Sequence, residues 1–127
     1  KNLFKRYNIE NGQIIHLEGD DFALHCCYKN ASLFVYPTLY EGFGLPILES
    51  FLYDCPVNCS SSSSLPEVAG NGANFFDPLI PESISSSMEK TLFDNKFKEK
   101  LIENGQNQLK KFSWEKCASE TLKFYKS

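Results

Sequence analysis

The chain has 127 residues, a hydrophobic fraction of 42% and an aromatic fraction of 14%, so it can fill one folded core and is neither disordered nor fibrous. The formal net charge of -3, with acidic and basic residues interspersed, gives no indication of a nucleic-acid-binding surface, and we expect no nucleic-acid partner. No run approaches the ~20 apolar residues of a membrane-spanning helix, and no signal-peptide pattern opens the chain.

The first predicted elements are short. Residues 2–7 are expected to end a helix, and residues 13–17 are expected to form a strand after a turn. Asp20 or Asp21 can cap a helix that reaches about Asn30. The residues predicted to share one face of this helix are Leu24, Cys27, Tyr28 and Ala31.

The central segment of the chain predicts a strand, a glycine turn and a helix. Residues 32–36 are apolar, aromatic or branched and are closed by Pro37, as is typical of a buried strand. The turn holds two glycines within residues 42–44. Pro46 follows at a first-turn position where its missing N–H costs nothing, and residues 47–53 continue as a helix.

Two glutamates flank this turn. Glu41 comes just before it, and Glu49 lies eight positions later inside the helix. In an open α/β sheet such a junction lies at the carboxyl edge of the strands, where ligands bind and where a helix start offers unpaired N–H groups. The glycines let the backbone approach a ligand closely. The arrangement suits an anion at the amides and hydroxyl groups at the carboxylates, and a sugar nucleotide carries both.

The next elements are a strand at residues 57–59, a serine run at residues 60–64 and a strand at residues 73–76. Ser64 and Glu67 match a capping box, in which the Ser64 side chain bonds the first helical turn and the Glu67 side chain reaches back to the backbone amide of Ser64. This structural interpretation of Glu67 is favoured. The alternative is that the serine loop, which follows a strand end, helps to form the wall of a ligand pocket.

From Pro81 onward three helices are predicted, and Ser113 can cap the last one. The apolar lines on the first two are Ile84, Met88 and Leu92, then Phe97, Leu101, Leu109 and Phe112. The last helix has a face of Trp114, Cys117, Ala118, Thr121, Leu122 and Tyr125. The alternation of strands and helices predicts an α/β fold with a parallel sheet flanked by helices, ending in a helical tail.

The five cysteines are an odd and unevenly spaced set, which favours buried free thiols. Cys55 and Cys59 lack a second pair at zinc spacing, and both histidines are remote in sequence, so we expect no metal site. His25 lies off the apolar face of its helix. We therefore expect it to be a surface or partly buried residue rather than a catalytic one.

The segment EGFGLPILES, with seven residues between Glu41 and Glu49, resembles the E-x7-E motif of the retaining GT-B glycosyltransferases of family 4, or group 1. The resemblance covers roughly residues 9–127 and continues through CPV, SLPEVAG, FDP and FSWE. It implies a Rossmann-like donor-binding domain, the C-terminal half of a GT-B fold. The family usually has glycine where this chain has Asp54, at the left-handed end of the helix, and aspartate tolerates that conformation.

The resemblance also assigns roles by position. It makes Glu41 the catalytic or charge-stabilising residue at the transferred sugar, and it places the turn at Gly42 with the amides of Phe43, Gly44 and Leu45 near the sugar and phosphates. The remaining match is Glu49, which would hold the ribose hydroxyls of the donor. The structural alternative is that Glu41 merely ends a strand loop and Glu49 is an ordinary helix glutamate.

The function implied is transfer of a hexose-type sugar, with retention of configuration and no required metal or cofactor, from a UDP- or GDP-sugar to a glycan or lipid-linked acceptor. Surface polysaccharide synthesis, as O-antigen or capsule, is the expected context. The parent protein would be bacterial and cytoplasmic, with peripheral association at the inner face of the membrane. Two alternatives stay open, a GT-B sugar-nucleotide epimerase and a non-catalytic binding module.

The chain starts at Lys1 rather than methionine, which we interpret as a fragment of a longer protein. Residues 1–127 would then be part of the nucleotide-sugar-binding domain, with the N-terminal acceptor domain absent. We expect such a fragment to be inactive by itself and to bind donor weakly.

Overall fold

The computed structural model describes residues 6–10 and 12–126, so the helix end predicted at residues 2–7 lies largely outside the described part. In chain order the elements are α1 (Asp21–Asn30), β1 (Phe34–Tyr36), α2 (Leu45–Leu52), β2 (Val57–Ser60), α3 (Leu65–Ala69), a 3-10 turn (Gly70–Gly72), β3 (Ala73–Phe76), α4 (Pro81–Phe93), α5 (Asn95–Leu109) and α6 (Trp114–Lys126).

The three strands form one parallel sheet in the order β1-β2-β3, as the alternation of elements predicts. Val57 of β2 lies opposite Phe34 of β1 and Ala73 of β3, and every residue of β2 is buried. Apolar side chains of α2 and α3 cover the sheet, including Ile47, which is fully buried. The predicted α/β class with a terminal helix is therefore confirmed.

The end of α2 follows the sequence prediction closely. Asp54 has a φ of 55°, the left-handed conformation expected where the family has glycine. The side-chain amide of Gln106 donates to the carbonyl oxygen of Phe51 at 2.5 Å and to the Asp54 carboxylate at 2.6 Å. A helix end that lacks glycine is thus closed by aspartate and tied to α5 by glutamine.

The strand predicted at residues 13–17 is wrong. Only Ile14 forms a single bridge, and Ile15 is 74% exposed. The apolar pattern is a local property, whereas a strand needs a neighbour to pair with. Here the backbone turns instead, with the Gln13 amide donating to the carbonyl oxygen of Glu10 and the Glu10 amide to the Gln13 side chain.

Helix α1 begins as predicted, because the Asp20 carboxylate accepts the Ala23 amide at 3.0 Å. Its predicted apolar face is only partly correct. Tyr28 is buried, but Leu24 and Cys27 on the same face are exposed. Among the helices, α1 packs mainly against α2. Because α2 covers only a narrow stripe of the surface of α1, the rest of the predicted apolar face stays exposed.

A buried polar network joins the sheet to α4, and the sequence patterns did not indicate it. The amide of Asn58 in β2 donates to the Ser87 hydroxyl at 3.1 Å and accepts the Thr91 hydroxyl at 2.8 Å. Asn74 of β3 donates to Thr91 and to the Ser87 carbonyl. The predicted apolar line of α4, which includes Met88, is only half-buried because these polar residues occupy the inner face.

Close packing between α5 and α2 makes one glycine sensitive to substitution. A Cβ atom on Gly105 would lie 2.6 Å from Cδ1 of Phe51, a side chain that is itself buried. We expect Gly105→Ala to lower the free energy of unfolding by ~1–3 kcal/mol through overpacking, although alanine is normally the better helix former. Urea unfolding checks this, with exposed Glu103→Ala on the same helix as the control; equal stability of Gly105→Ala and wild type would contradict it.

The cysteines are all free within the described part, as predicted, but burial holds for two of them only. Cys55 and Cys59 are buried, whereas Cys26, Cys27 and Cys117 are exposed, so the prediction of buried thiols is wrong for these three. Burial raises the pKa of the Cys59 thiol to about 12, which keeps it protonated and unreactive. None of the described helices is long and apolar enough to cross a bilayer.

Candidate functional site

The central segment folds into the predicted strand, turn and helix. Strand β1 ends at Tyr36, and α2 begins at Leu45 after a left-handed Gly44 with a φ of 104°. Pro46 occupies the first turn of α2, as expected from its missing N–H. The junction therefore lies at the carboxyl end of a parallel strand, the edge at which open α/β sheets bind ligands.

Gly44 also packs closely against α3, so an added side chain would force its neighbours to shift. A Cβ atom at this position would lie 2.6 Å from Cδ2 of Leu65, the fully buried first residue of α3. Gly42, two positions earlier, has open space around it. The two glycines of the turn thus have different roles, since the backbone conformation and packing favour glycine at position 44, whereas Gly42 leaves the backbone open to solvent or ligand.

The side chain of Glu41 is held by the last residue of β1. The hydroxyl of Tyr36 donates to Oε1 of Glu41 at 2.6 Å, and Glu41 is half-buried. Burial, followed by the hydrogen bond and the charge of Glu41, raises the pKa of Tyr36 to about 12. The tyrosine therefore keeps its proton, and its role as donor, at neutral pH. Within the described residues only Oε1 of the carboxylate has a hydrogen-bond partner.

Glu49 has a similar but weaker partner. The hydroxyl of Tyr28, in α1, donates to Oε2 of Glu49 at 3.3 Å. Burial and the charge of Glu49 raise the pKa of Tyr28 well above its ordinary value. Glu49 is half-buried as well. A non-catalytic role would be favoured by fully buried and paired carboxylates, and neither glutamate is fully buried.

The serine loop packs against the turn instead of capping α3. Ser64 is the N-cap residue of α3 but makes no side-chain cap bond. Its hydroxyl lies 2.9 Å from the carbonyl oxygen of Phe43 and 3.1 Å from that of Glu41, and the Ser63 hydroxyl donates to Glu41 at 2.7 Å. The predicted capping box is therefore wrong, and Glu67 is simply exposed.

These contacts explain how the turn presents its amides. Serine hydroxyls bond the carbonyl oxygens of Glu41 and Phe43, so these groups face the loop. Among residues 6–10 and 12–126, no acceptor is found for the amides of Gly42, Phe43 and Gly44. Ser63 itself has a φ of 55°, an uncommon conformation for a serine that is typical of functional loops. The alternative interpretation of the serine loop, as part of the wall of the site, is consistent with this geometry.

A groove of about 520 Å³ adjoins the turn and is mostly apolar. Phe43, Leu45 and Glu49 form one wall, and Trp114 of α6 belongs to the other. The ring of Phe43 meets the edge of Phe112 with centroids 5.8 Å apart. No residue of α6 is buried, although Ser113 caps the helix as predicted by accepting the amide of Lys116.

The structure thus brings together every residue that the sequence marks as a site candidate: Glu41, Gly42, Phe43, Gly44, Leu45 and Glu49. What the sequence did not indicate is the pair of supporting tyrosines, Tyr28 and Tyr36; the serine loop that contains Ser63 was indicated only as an alternative. In the described part of the chain no group of three or more His, Cys, Asp or Glu side chains could hold a metal ion. His25 is partly buried, with its ring 5.3 Å from that of Tyr53, as expected for a structural residue.

A parallel sheet flanked by helices, with a glycine turn and a helix start at its carboxyl edge, is a Rossmann-like α/β fold. The model of the family Glycosyl transferases group 1 matches residues 1–108. The chain belongs to this family.

Relatives and solved structures agree with that membership. The chain is 44% identical over 106 residues to O-antigen chain mannosyltransferase B of Escherichia coli, with 84% of this chain and 28% of that protein covered. It is 38% identical over 119 residues to the serotype-specific mannosyltransferase WbdA of Escherichia coli, with 91% of this chain and 14% of that protein covered. Sucrose-phosphate synthase from Thermosynechococcus elongatus superposes with a TM-score of 0.84 at 22% identity, over 98% of this chain and 32% of that chain.

The last of these shows the fold, which is like the C-terminal domain of GT-B glycosyltransferases. The chain spans less than a third of the length of each of these proteins. Membership of the family is a property of this chain, and the activity of the whole protein is a matter for proposal.

Proposed function

We propose that the protein carrying this chain is a retaining family 4 glycosyltransferase that moves a sugar from a nucleoside-diphosphate donor to a glycan or lipid-linked acceptor. The observation that supports this best is the turn between Glu41 and Glu49. Its amides at Gly42, Phe43 and Gly44 have no acceptor in the described part, and each flanking carboxylate has one oxygen without a hydrogen-bond partner there.

The chemistry of such a turn fits a sugar nucleotide. Fixed N–H groups stabilise the negative charge that develops on a leaving diphosphate, and they need no reorganisation during the reaction. The carboxylate of Glu49, one turn into α2, accepts hydrogen bonds from the two ribose hydroxyl groups. Glu41, closer to the turn, lies at the sugar that is transferred. No step in this assignment uses a metal ion, and we propose that none is required.

The sugar is proposed from the relatives. Two of them are named mannosyltransferases, and one of these is an O-antigen chain enzyme, so we propose mannose as the sugar and O-antigen or capsule as the product. The donor is then GDP-mannose, with other UDP- and GDP-sugars as the alternatives. We place the protein in the bacterial cytoplasm, in peripheral contact with the membrane that presents a lipid-linked acceptor.

The remaining part of the proposal concerns the domains. Because this chain spans 28% of its mannosyltransferase relative, we propose that the parent protein also carries an N-terminal acceptor-binding domain. Residues 1–127 alone would then be inactive and would bind donor weakly, since both halves of a GT-B site contribute to it. Donor binding and turnover are therefore best measured on the longer protein.

Calorimetric titration of the longer protein with GDP, UDP and ADP tests the donor assignment. We expect one nucleotide to bind, and Glu49→Gln to weaken that binding by ~10-fold or more, because hydrogen bonds to a charged group contribute ~1.5–3 kcal/mol. Glu67→Gln, the same change at an exposed glutamate of α3, is the control and should bind as wild type. Unchanged affinity in Glu49→Gln would contradict its role at the ribose.

Analysis of the products separates the classes of enzyme. Incubation with GDP-mannose and an oligomannose acceptor should release GDP and lengthen the acceptor with the anomeric configuration of the donor retained. An epimerase would instead return a different sugar without lengthening the acceptor. A binding module would bind nucleotide and leave every donor intact.

A further inference from the structure

We infer that Tyr36 is a positioning residue for Glu41, fixing its carboxylate at the place where the sugar is transferred. This inference rests on the proposed function, because it assigns Tyr36 a role through a glutamate that is itself proposed to be catalytic. The short hydrogen bond of 2.6 Å from the tyrosine hydroxyl to Oε1 of Glu41 is the primary observation. A bond of that length to a carboxylate is the strong, charge-assisted kind.

The tyrosine ring is itself held in place. Tyr36 is the last residue of β1, and its backbone lies opposite Cys59 of the buried central strand. Its ring stacks on Phe34 with centroids 5.5 Å apart. The hydroxyl therefore projects from a sheet rather than from a loop, and a group supported by a rigid element can hold its partner more precisely.

Glu41 needs such a support because it lies in the loop between β1 and α2. Its backbone carbonyl is fixed by Ser63 at 2.7 Å, and its side chain by Tyr36. One contact holds the side chain of Glu41 and the other holds its backbone. Tyr36 is the last residue of β1, and Ser63 lies in the loop that follows β2. With both contacts made, Oε2 is the carboxylate oxygen that has no hydrogen-bond partner in the described part. Because the bond to Tyr36 restricts the rotamer of Glu41, it also sets the position of Oε2.

The second glutamate provides a built-in comparison. Tyr28 is 4% exposed, and its ring meets Phe34 edge-on at 5.3 Å. Phe34 thus lies between the two tyrosines, so one aromatic cluster supports both carboxylates. The bond from Tyr28 to Glu49 is longer, at 3.3 Å, and weaker. Removal of the Tyr36 hydroxyl should lower turnover through Glu41, and removal of the Tyr28 hydroxyl should weaken donor binding through Glu49. We expect the first effect to be the larger one.

The test uses the longer protein with GDP-mannose, UDP-glucose, UDP-galactose and ADP-glucose as donors and measures release of the nucleoside diphosphate with and without an oligomannose acceptor. Tyr36→Phe keeps the ring and removes only the hydroxyl. We expect kcat to fall by ~10- to 100-fold, because a small misplacement of a reacting group has an effect of that order, while KM for the donor changes less than ~2-fold. Tyr7→Phe, the same change at an exposed position, should leave both unchanged.

A double-mutant cycle separates positioning from a general structural role. In a Glu41→Gln background, Tyr36→Phe should have an additional effect of less than ~2-fold, because the charged group on which it acts is gone. Fully additive losses in the double variant would overturn the inference, as would a wild-type kcat in Tyr36→Phe.

The inference and the proposed function can fail separately. If wild type turns over a donor and Tyr36→Phe does so equally well, the inference is wrong and the function stands. If no donor is turned over, the proposed function fails, and a crystal structure of Tyr36→Phe decides the rest. A Glu41 carboxylate that stays ordered in its wild-type place without the hydroxyl overturns the inference, and one that moves or loses order supports it.

Discussion

Replacing Glu41 by glutamine is expected to lower kcat for sugar transfer by ~100- to 1,000-fold, the loss that follows removal of one preorganised group that stabilises transition-state charge. Glutamine has nearly the same shape as glutamate, and its amide oxygen can still accept the hydroxyl of Tyr36, 2.6 Å from Oε1 in the native protein. The serine bonds to the backbone of residue 41 are also retained. The variant therefore removes the charge and little else.

The expected signature is a loss in kcat with little change in donor affinity, because nucleotide binding is assigned to Glu49 and to the turn amides. Steady-state assays on the longer protein measure kcat, and calorimetry with the preferred nucleotide measures donor affinity. Glu89→Gln, an exposed glutamate of α4, is the matched control. A Glu41→Gln enzyme with more than about a tenth of wild-type kcat would not be compatible with a charge that acts in the transition state.

Local rules predicted most of the chain correctly, because most of its elements carry their signals within a few residues. The N-cap at Asp20, the left-handed Asp54 and the turn before Pro46 each depend on the backbone preferences of one or two residues. The parallel sheet followed from the order of elements. The site candidates followed from the one part of the resemblance that carries them, the ten-residue segment EGFGLPILES around the turn.

The errors arise where the outcome depends on distant partners. The apolar residues 13–17 have a strand-like pattern, but pairing is a non-local event, and residue spacing gives no information about it. In α4 the helical period favours the face of Met88, yet Ser87 and Thr91 are buried because Asn58 and Asn74 supply their hydrogen bonds from the sheet. No spacing rule within one helix could have indicated that polar residues of α4 are buried in place of the apolar ones.

Two supporting contacts of the site, from Tyr28 and Ser63, likewise depend on distant partners. Tyr28 lies 21 positions before Glu49, and Ser63 lies 22 positions after Glu41. Ser64 was assigned to a capping box because its local sequence fits one, but its hydroxyl contacts a carbonyl on another element. A residue with two satisfactory partners bonds the one that the tertiary structure brings closer, and only the folded chain shows which that is.

Replacing Gly44 by alanine is expected to lower the free energy of unfolding by ~2–6 kcal/mol, the sum of ~1–3 kcal/mol for a left-handed backbone and ~1–3 kcal/mol for overpacking. The φ of 104° is outside the range that an L side chain adopts readily, and the new Cβ atom would lie 2.6 Å from Leu65. Because Gly44 is the N-cap residue immediately before α2, any relief of this contact moves the amides proposed to bind the diphosphate. Nucleotide affinity should fall together with stability.

Two further variants separate the causes. Gly42→Ala, at a position with open space, should unfold at nearly the wild-type urea concentration. Gly44→Asn adopts positive φ more readily than alanine but carries the same Cβ atom toward Leu65, so it reports the packing contribution with less backbone strain. If Gly44→Asn is as destabilised as Gly44→Ala, the contact with Leu65 is the dominant cause. If the stability of Gly44→Asn is close to that of wild type, the backbone conformation is the dominant cause. A Gly44→Ala protein with wild-type stability would contradict both, because the turn would then be free to accept a side chain at the point where its amides face the proposed donor.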